Sequence, residues 1–301
     1  MALICEDLSS YGVVLIPPDS QQYFDLLADI ERRLQNRPQG SPLVCGGDVS
    51  RIGEHNTSGS AILVNRAKVA IATLAYVWSR HLPNGHIATG SRTPGTNPSV
   101  LLPFLQRPQN RKFDAYWNTI FPGSKRLITI EGNIYGDNTD VRPPASDELS
   151  TGGGGGVGTG GGSNNGEPFK LTLDGVFFVD GRFAGPNWLG SWDHLVAARE
   201  AYLSASALAR NAPATFFAQM DSLSGLDTDP WRGLRSAFAP LPPRPLPPSR
   251  NGPDREAIRE YQRQCIARTA LRMRNTQGDA AAIKAIAAWL DTPGPEPHRL
   301  P

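Results

Sequence analysis

Hydrophobic and polar positions follow a helical period near the start of the chain and a strand-like pattern further along. Between residues 24 and 34 apolar side chains recur at helical spacing, and Asp19 or Ser20 can cap the helix that this spacing predicts. Residues 61–64 and 69–78 are instead rich in β-branched and aromatic side chains, which is typical of strands. The second of these segments is apolar at odd and at even positions, so we expect a strand buried on both faces.

Further strands are predicted at residues 100–105, 126–130 and 169–179. The last of these segments ends at Asp180 and Gly181, a pair that favours a tight hairpin turn because glycine adopts positive φ at little cost. Several short strands separated by turn residues are typical of an antiparallel sheet.

After the hairpin the apolar positions return to helical spacing. Asn187 or Ser191 can cap the first of these helices. The helical segments are predicted at residues 187–208, 212–226, 254–275 and 279–290. The chain therefore predicts strands in its middle and helices in its second half.

This order of elements predicts an α+β fold, in which an antiparallel, immunoglobulin-like β-sandwich lies between an N-terminal helix and a helical C-terminal part. The expected boundaries are residues 1–59 for the N-terminal helix and loop, 60–185 for the β-sandwich, 186–238 for helices packed on the sandwich, 239–252 for a proline-rich linker and 253–301 for a C-terminal helical pair. Residues 145–167, inside the sandwich, consist largely of glycine and polar residues. Such a segment buries too little to offset its ordering entropy, so we expect a disordered loop.

The order of the segments is similar to that of a bacterial protein family with an immunoglobulin-like β-sandwich followed by helices. The resemblance covers roughly residues 60–210 and is carried by residues 61–65, 75–78, 122–129, 140–144, the glycine run, 173–181, Phe183 and 185–186. It implies the fold. It implies no catalytic residue, because no activity is assigned to that family.

Charge and composition exclude few function classes. The chain has 30 Lys and Arg against 28 Asp and Glu, so its net charge of +2 creates no field that would recruit nucleic acid.

Residues 1–20 lack the pattern of a signal peptide, and no apolar run is long enough for a bilayer, so we expect a cytoplasmic protein without a membrane partner. Cys5, Cys45 and Cys265 are widely spaced and odd in number, which fits free thiols better than disulfides or a zinc site. We predict no metal and no cofactor.

Three residues are candidates for catalysis. His194 has a pKa suited to acid–base chemistry, and Asp174 and Asp193 could join it in an acid–base or metal site. Asp193 also lies in the first turn of a predicted helix, where the helix dipole stabilises a carboxylate. The structural role is the commoner one for such a residue.

Two pairs of residues are candidates for binding. Trp188 and Trp192 are one helical turn apart and form either an exposed aromatic platform or, as is more common, an anchor in the core. Arg259 and Arg263 could contact phosphates, but acidic residues at the start of the same helix offset them. A solvated helix face is the commoner explanation, and nucleic-acid binding is disfavoured.

Three function hypotheses follow from these observations. The first is a non-enzymatic protein-binding or scaffold module that contacts its partner through the C-terminal helices, since no catalytic constellation stands out in the sequence. The second is an enzyme whose active site is built from scattered residues. The third is a secreted or surface structural protein whose start codon was misassigned. The oligomeric state does not follow from the sequence.

Overall fold

The computed structural model describes residues 4–36, 60–81, 87–92, 119–129, 134–135, 169–224 and 255–301. The predicted strand at residues 100–105, the glycine-rich segment 145–167 and the linker 239–252 lie outside these residues. The chain divides into two compact units. The β unit comprises Met1–Leu101, Gln106–Pro186 and Pro297–Pro301, and the helical unit comprises Leu102–Leu105 and Asn187–Glu296.

The strands described in the β unit form two sheets. They are β1 (Ile4–Glu6), β2 (Val13–Ile16), β3 (Ser60–Asn65), β4 (Ile71–His81), β5 (Ile87–Arg92), β6 (Lys125–Thr129), β7 (Ile134–Tyr135), β8 (Phe169–Phe178), β9 (Arg182–Ala184) and β10 (His298–Arg299). The first sheet has the order β10-β9-β8-β4-β5, with β1 also paired to β8, and the second has the order β2-β3-β6-β7. The pairs β1-β8 and β10-β9 are parallel, and the other pairs are antiparallel.

One buried core takes side chains from both sheets. The first sheet contributes Ile71, Leu74, Tyr76, Leu171, Leu173, Val176 and Phe178, and the second contributes Val13, Leu15, Ala61, Leu63 and Ile128. The Tyr76 hydroxyl donates a hydrogen bond to the carbonyl of Thr129 and so links β4 to β6. This arrangement confirms the α+β class and the sheet-rich middle of the chain.

The successive strands β3 and β4 lie in different sheets, β3 in the second and β4 in the first. Asn65, which is buried at the end of β3, organises the crossing between the sheets. Its amide nitrogen donates to the carbonyls of Val69 and Ile120 at 3.1 and 2.9 Å, and its side-chain oxygen accepts from the backbone N–H of Ala67 at 3.0 Å. Residues 66–70, between β3 and β4, therefore connect the two sheets.

Helix α1 (Gln21–Gln35) covers the second sheet on the side away from the shared core. Ser20 caps it as expected, since its hydroxyl accepts from the backbone N–H of Tyr23 at 3.1 Å. Apolar side chains of the helix pack with those of β2, β3 and β6: Ile16, Tyr23, Leu27, Ile30, Ile62, Val64 and Leu127. Because apolar layers cover both faces, β3 is buried at every position. The prediction of an N-terminal helix is met in part, because β1 and β2 precede the helix and join the sheets.

The predicted hairpin after β8 is confirmed. Gly181 adopts a φ of +90° and its N–H donates to the carbonyl of Phe178 at 3.0 Å. The hairpin places the Phe183 ring directly over Gly175, where an added Cβ would lie 2.4 Å from a ring carbon. The absence of a side chain at Gly175 therefore makes room for Phe183 in the core.

The described helices of the helical unit include one whose buried face is rich in alanine. They are α2 (Ser191–Asn211), α3 (Phe216–Leu223), α4 (Arg255–Gln277) and α5 (Asp279–Ala287), followed by a 3-10 turn at Ala288–Asp291. The buried face of α2 includes Ala197, Ala198, Ala201, Ala205 and Ala209. Such small side chains let α2 approach α4 and α5 closely. Within the described ranges, no helix is both long and apolar enough to cross a membrane.

Candidate functional site

All but one of the candidate residues belong to the helical unit, at two neighbouring helix segments. Trp188, Trp192, Asp193 and His194 lie at or just before the start of α2, and Arg259 and Arg263 lie in the first half of α4. Helices α2 and α4 pack against each other. We call the surface formed by Trp188, the first turn of α2 and the first half of α4 the α2–α4 face.

Asn187 fixes the geometry at the start of α2. It is buried and adopts a φ of +66°, a left-handed conformation that asparagine tolerates better than most residues. Its side-chain oxygen accepts from the backbone N–H of Trp192 at 2.8 Å, so Asn187 supplies the expected cap from outside the helix. Its amide nitrogen donates to Asp193 at 2.7 Å.

The Asp193 carboxylate connects α2 to α4. One oxygen accepts from Asn187, and the other lies 3.0 Å from Nε of Arg255. The side chain of Asp193 is 10% exposed and that of Arg255 is 73% exposed. The carboxylate also lies in the first turn of α2, where the helix dipole stabilises its charge. These contacts give Asp193 a structural role, which is the commoner of the two interpretations made from the sequence.

His194 faces α4 and does not contact the Asp193 carboxylate through a hydrogen bond. Its Nδ1 lies 3.1 Å from the amide nitrogen of Gln262, and its ring meets the ring of Tyr261 edge-on at 5.9 Å. Since an amide N–H donates, Nδ1 accepts and the neutral ring carries its proton on Nε2. Burial lowers the pKa of His194, although the charge of Asp193 opposes this effect. The neutral imidazole is therefore favoured in the folded protein.

Tyr261 and Cys265, one turn apart on α4, share a hydrogen bond and are both held neutral. Burial raises the pKa of Tyr261 and the pKa of the Cys265 thiol, and Arg268 only partly offsets this effect. A nucleophilic cysteine has the opposite shift, since the thiolate is its reactive form. The groups that could carry acid–base or nucleophilic chemistry on this face are thus shifted toward their uncharged forms.

The lowered pKa of His194 predicts a loss of stability in mild acid. Between that pKa and the ordinary value of about 6.5, the unfolded chain binds more protons than the folded chain, so the free energy of unfolding falls as the pH falls through this window. In a His194→Gln variant the free energy of unfolding should depend less on pH in this window, because the amide does not titrate. Urea denaturation at a series of pH values measures the slope. His298→Gln, at an exposed position, is the control, and equal slopes in the two variants would show that His194 is not responsible.

Acidic side chains lie close to Arg259 and Arg263 of α4. Arg259 lies 3.6 Å from Glu200 and 3.7 Å from Glu256, while Arg263 lies 3.8 Å from Glu256 and 3.7 Å from Glu260. All of these side chains are about half exposed or more. Alternating charges of this kind give a solvated helix face and no concentrated positive patch for phosphates.

The two tryptophans do not form the core anchor that their spacing predicts. Trp188 precedes α2, which begins at Ser191, so helical periodicity does not apply to it. Its side chain is 54% exposed, and Trp192 is half-buried. The expectation of a core position for Trp188 is therefore wrong.

Asp174 is the candidate that lies elsewhere, in the β unit. It is fully buried in β8, at a shift in register between the pairs Ala75–Gly175 and Tyr76–Leu173. Asp193 and His194 belong to the helical unit, so the three proposed catalytic residues do not come from one compact unit. In the part of the chain that the structure describes, no group of three His, Cys, Asp or Glu side chains could hold a metal ion.

Sequence reasoning missed the residues of α4 that complete this face. Arg255 and Gln262 contact Asp193 and His194 from a helix far along the chain, and Gln262 is 68 positions from His194. Tyr261 and Cys265 lie one turn apart on α4, and this spacing does not indicate which residue they contact. The chain matches no protein-family model, no curated protein and no solved structure.

Proposed function

We propose that this chain is a non-enzymatic protein-binding module and that the α2–α4 face is its contact surface. The observation that carries the proposal is the exposure of Trp188, which is 54%. Tryptophan and arginine dominate the binding energy of protein interfaces, because large, stiff side chains bury much area at low entropic cost. Asn187, next to Trp188 in the chain, is held by Asp193, which in turn pairs with the exposed Arg255.

The electrostatics of the face support a binding function over a catalytic one. Burial favours the neutral forms of His194, Tyr261 and Cys265, whereas a catalytic base or nucleophile needs a pKa matched to its task. The rings of His194 and Tyr261 meet across the contact between α2 and α4. They keep the surface that carries Trp188 in one conformation, which lowers the entropic cost of binding.

The charges of the face favour a protein partner with both signs of charge. Arg255, Arg259 and Arg263 alternate with Glu200, Glu256 and Glu260 around α2 and α4. A surface of this kind selects its partner by the arrangement of charges and not by net attraction. A nucleic acid would instead require a run of unopposed cations.

A Trp188→Ala variant should lose the partner while keeping its fold. The loss of a central aromatic anchor costs about 2 kcal/mol or more, which is roughly a 30-fold rise in Kd. Affinity capture of the tagged full chain from its native cells, followed by quantitative mass spectrometry, measures the loss. Phe24→Ala is the matched control, because Phe24 is also an exposed aromatic residue, at 49%, and lies on α1. Equal recovery of the partner by the two variants would contradict the proposed contact surface.

Two finer features of the molecule belong to the same proposal. We propose that the two sheets form an immunoglobulin-like sandwich, which their shared core and their mostly antiparallel pairing support. The parallel pairs, β1 with β8 and β10 with β9, are strand pairs beyond those of an antiparallel sandwich. We also propose a cytoplasmic location, which the free thiol of Cys265 supports.

A further inference from the structure

The segment Pro297–Pro301 belongs to the β unit, although the residues before it belong to the helical unit. It contributes β10, which pairs in parallel with β9. The backbone N–H of His298 donates to the carbonyl of Gly181 at 3.0 Å, and that of Leu300 donates to the carbonyl of Phe183 at 2.8 Å. The hydrogen-bonding edge of β9 thus accepts a short strand through its main chain.

Side chains make this edge selective for a basic residue followed by leucine. The Arg299 guanidinium donates to the carbonyls of Gly185 and Pro186 at 3.2 and 3.1 Å and lies over the Phe183 ring at 5.9 Å. Leu300 packs against the core that the two sheets share. The Tyr11 hydroxyl donates to the carbonyl of Pro301. We call this acceptor, formed by β9, residues 185–186 and Tyr11, the β9 edge.

The chain that leads to this strand has the composition of an exchange hinge. Residues 292–297 read Thr-Pro-Gly-Pro-Glu-Pro, and Gly294 adopts a φ of +71°. Prolines restrict such a segment to extended conformations, and it forms no helix or strand. When a short hinge carries a small element, another copy of the chain offers the same contacts to that element.

We propose that the β9 edge is a strand-acceptor site for the Pro297–Pro301 segment of a second copy of this chain. In the exchanged dimer, Arg299 and Leu300 of each copy occupy the β9 edge of the other. The occupant is assigned to a second copy because the contacts of the edge with backbone, arginine and leucine are all made by this chain's own sequence. The site uses residues other than those of the α2–α4 face and adds a homotypic interaction to the proposed function.

Co-expression of two differently tagged full-length copies tests the exchange. Capture of one tag should recover the other copy, and Leu300→Asp in both copies should reduce that recovery at least ten-fold, because a carboxylate cannot enter the apolar core. Leu223→Asp is the matched control, since Leu223 is an exposed leucine on α3, outside the β9 edge and the segment that it binds. No recovery between wild-type copies, or undiminished recovery between Leu300→Asp copies, would overturn the proposal.

A peptide competition keeps the test valid if Leu300→Asp fails to fold. A synthetic peptide with the sequence of residues 293–301, added in excess to wild-type copies, should release the second copy. The same peptide carrying Leu300→Asp should release none. Retention of the second copy with both peptides would show that the copies associate elsewhere, and equal release by both peptides would show that the β9 edge does not recognise leucine. Either result overturns the proposal.

Discussion

Replacing Gly185 by alanine is expected to lower the free energy of unfolding by about 4 kcal/mol. Gly185 adopts a φ of +131°, which an L residue occupies at a cost of about 1–3 kcal/mol. An added Cβ would also lie 2.4 Å from the carbonyl oxygen of Asp174 and 2.9 Å from Cα of Gly175. Both are backbone atoms of β8, so no rotamer change relieves the overlap, and a further cost of about 1–3 kcal/mol follows. Urea denaturation followed by circular dichroism measures the change.

Gly123→Ala measures the cost of a positive φ without a close contact. Gly123 also has a positive φ, +79°, but nothing lies within 4 Å of an added Cβ. This variant should lose only the left-handed backbone cost of about 1 kcal/mol. If Gly185→Ala and Gly123→Ala lose the same free energy, the close approach of Gly185 to Asp174 is not what requires glycine.

The carbonyl of Gly185 also accepts from Arg299, so the destabilised variant should bind the segment Pro297–Pro301 less well.

Ser206→Ala is expected to lower the free energy of unfolding of the helical unit by about 2 kcal/mol. Ser206 is fully buried on α2, and its hydroxyl lies 2.7 Å from the carbonyl of Ile286 and 3.1 Å from that of Ala287. It also accepts from the backbone N–H of Leu290 at 3.2 Å. These are backbone groups at the end of α5, where the carbonyl of Ala287 also accepts from Arg210 and that of Ile286 also accepts from the backbone N–H of Ala288. Alanine removes the hydrogen bonds of the buried hydroxyl, and losing such a buried hydrogen-bonding group costs about 1–3 kcal/mol.

The matched control for Ser206 lies one half-turn away on the same helix. Ser204 is exposed, so Ser204→Ala changes the helix propensity in the same way without removing a buried partner. Thermal unfolding of the two variants should show a lower Tm for Ser206→Ala alone. A similar Tm for both would mean that water or a shifted helix end replaces the hydroxyl.

Features with local causes could be predicted from the sequence. Ser20 caps α1 through a residue three positions ahead, and Asp180 and Gly181 turn the chain between β8 and β9. In each case the residues that decide the conformation are neighbours along the chain. Their chemistry is therefore visible in the pattern of polar and apolar positions.

Features with distant causes could not be predicted. The assignment of β3 and β4 to different sheets depends on Asn65, which bonds to a carbonyl 55 positions away. Strand β10 lies in a proline-rich segment without β-branched residues, and it becomes a strand only because β9 offers an edge. Its register depends on main-chain groups and leaves no periodic signal.

The candidate site also combines features with local causes and features with distant causes. Asn187 and Asp193 are close in sequence, and the helix start that they stabilise could be predicted from their types. The contacts with Arg255 and Gln262 exist only once α2 and α4 pack. The position of Trp188 was predicted wrongly because the helical spacing was extended to a residue that precedes the helix.

Site-specific photocrosslinking at Trp188 tests the proposed contact surface most directly. Benzoylphenylalanine replaces Trp188 in one variant and Phe24 in another. In each variant it takes the place of an exposed aromatic residue. After irradiation of intact cells, the variant at position 188 should form a discrete adduct with another protein, and the variant at position 24 should not. An absence of adducts at position 188, or the same adducts at both positions, would contradict the proposal that the α2–α4 face binds a protein.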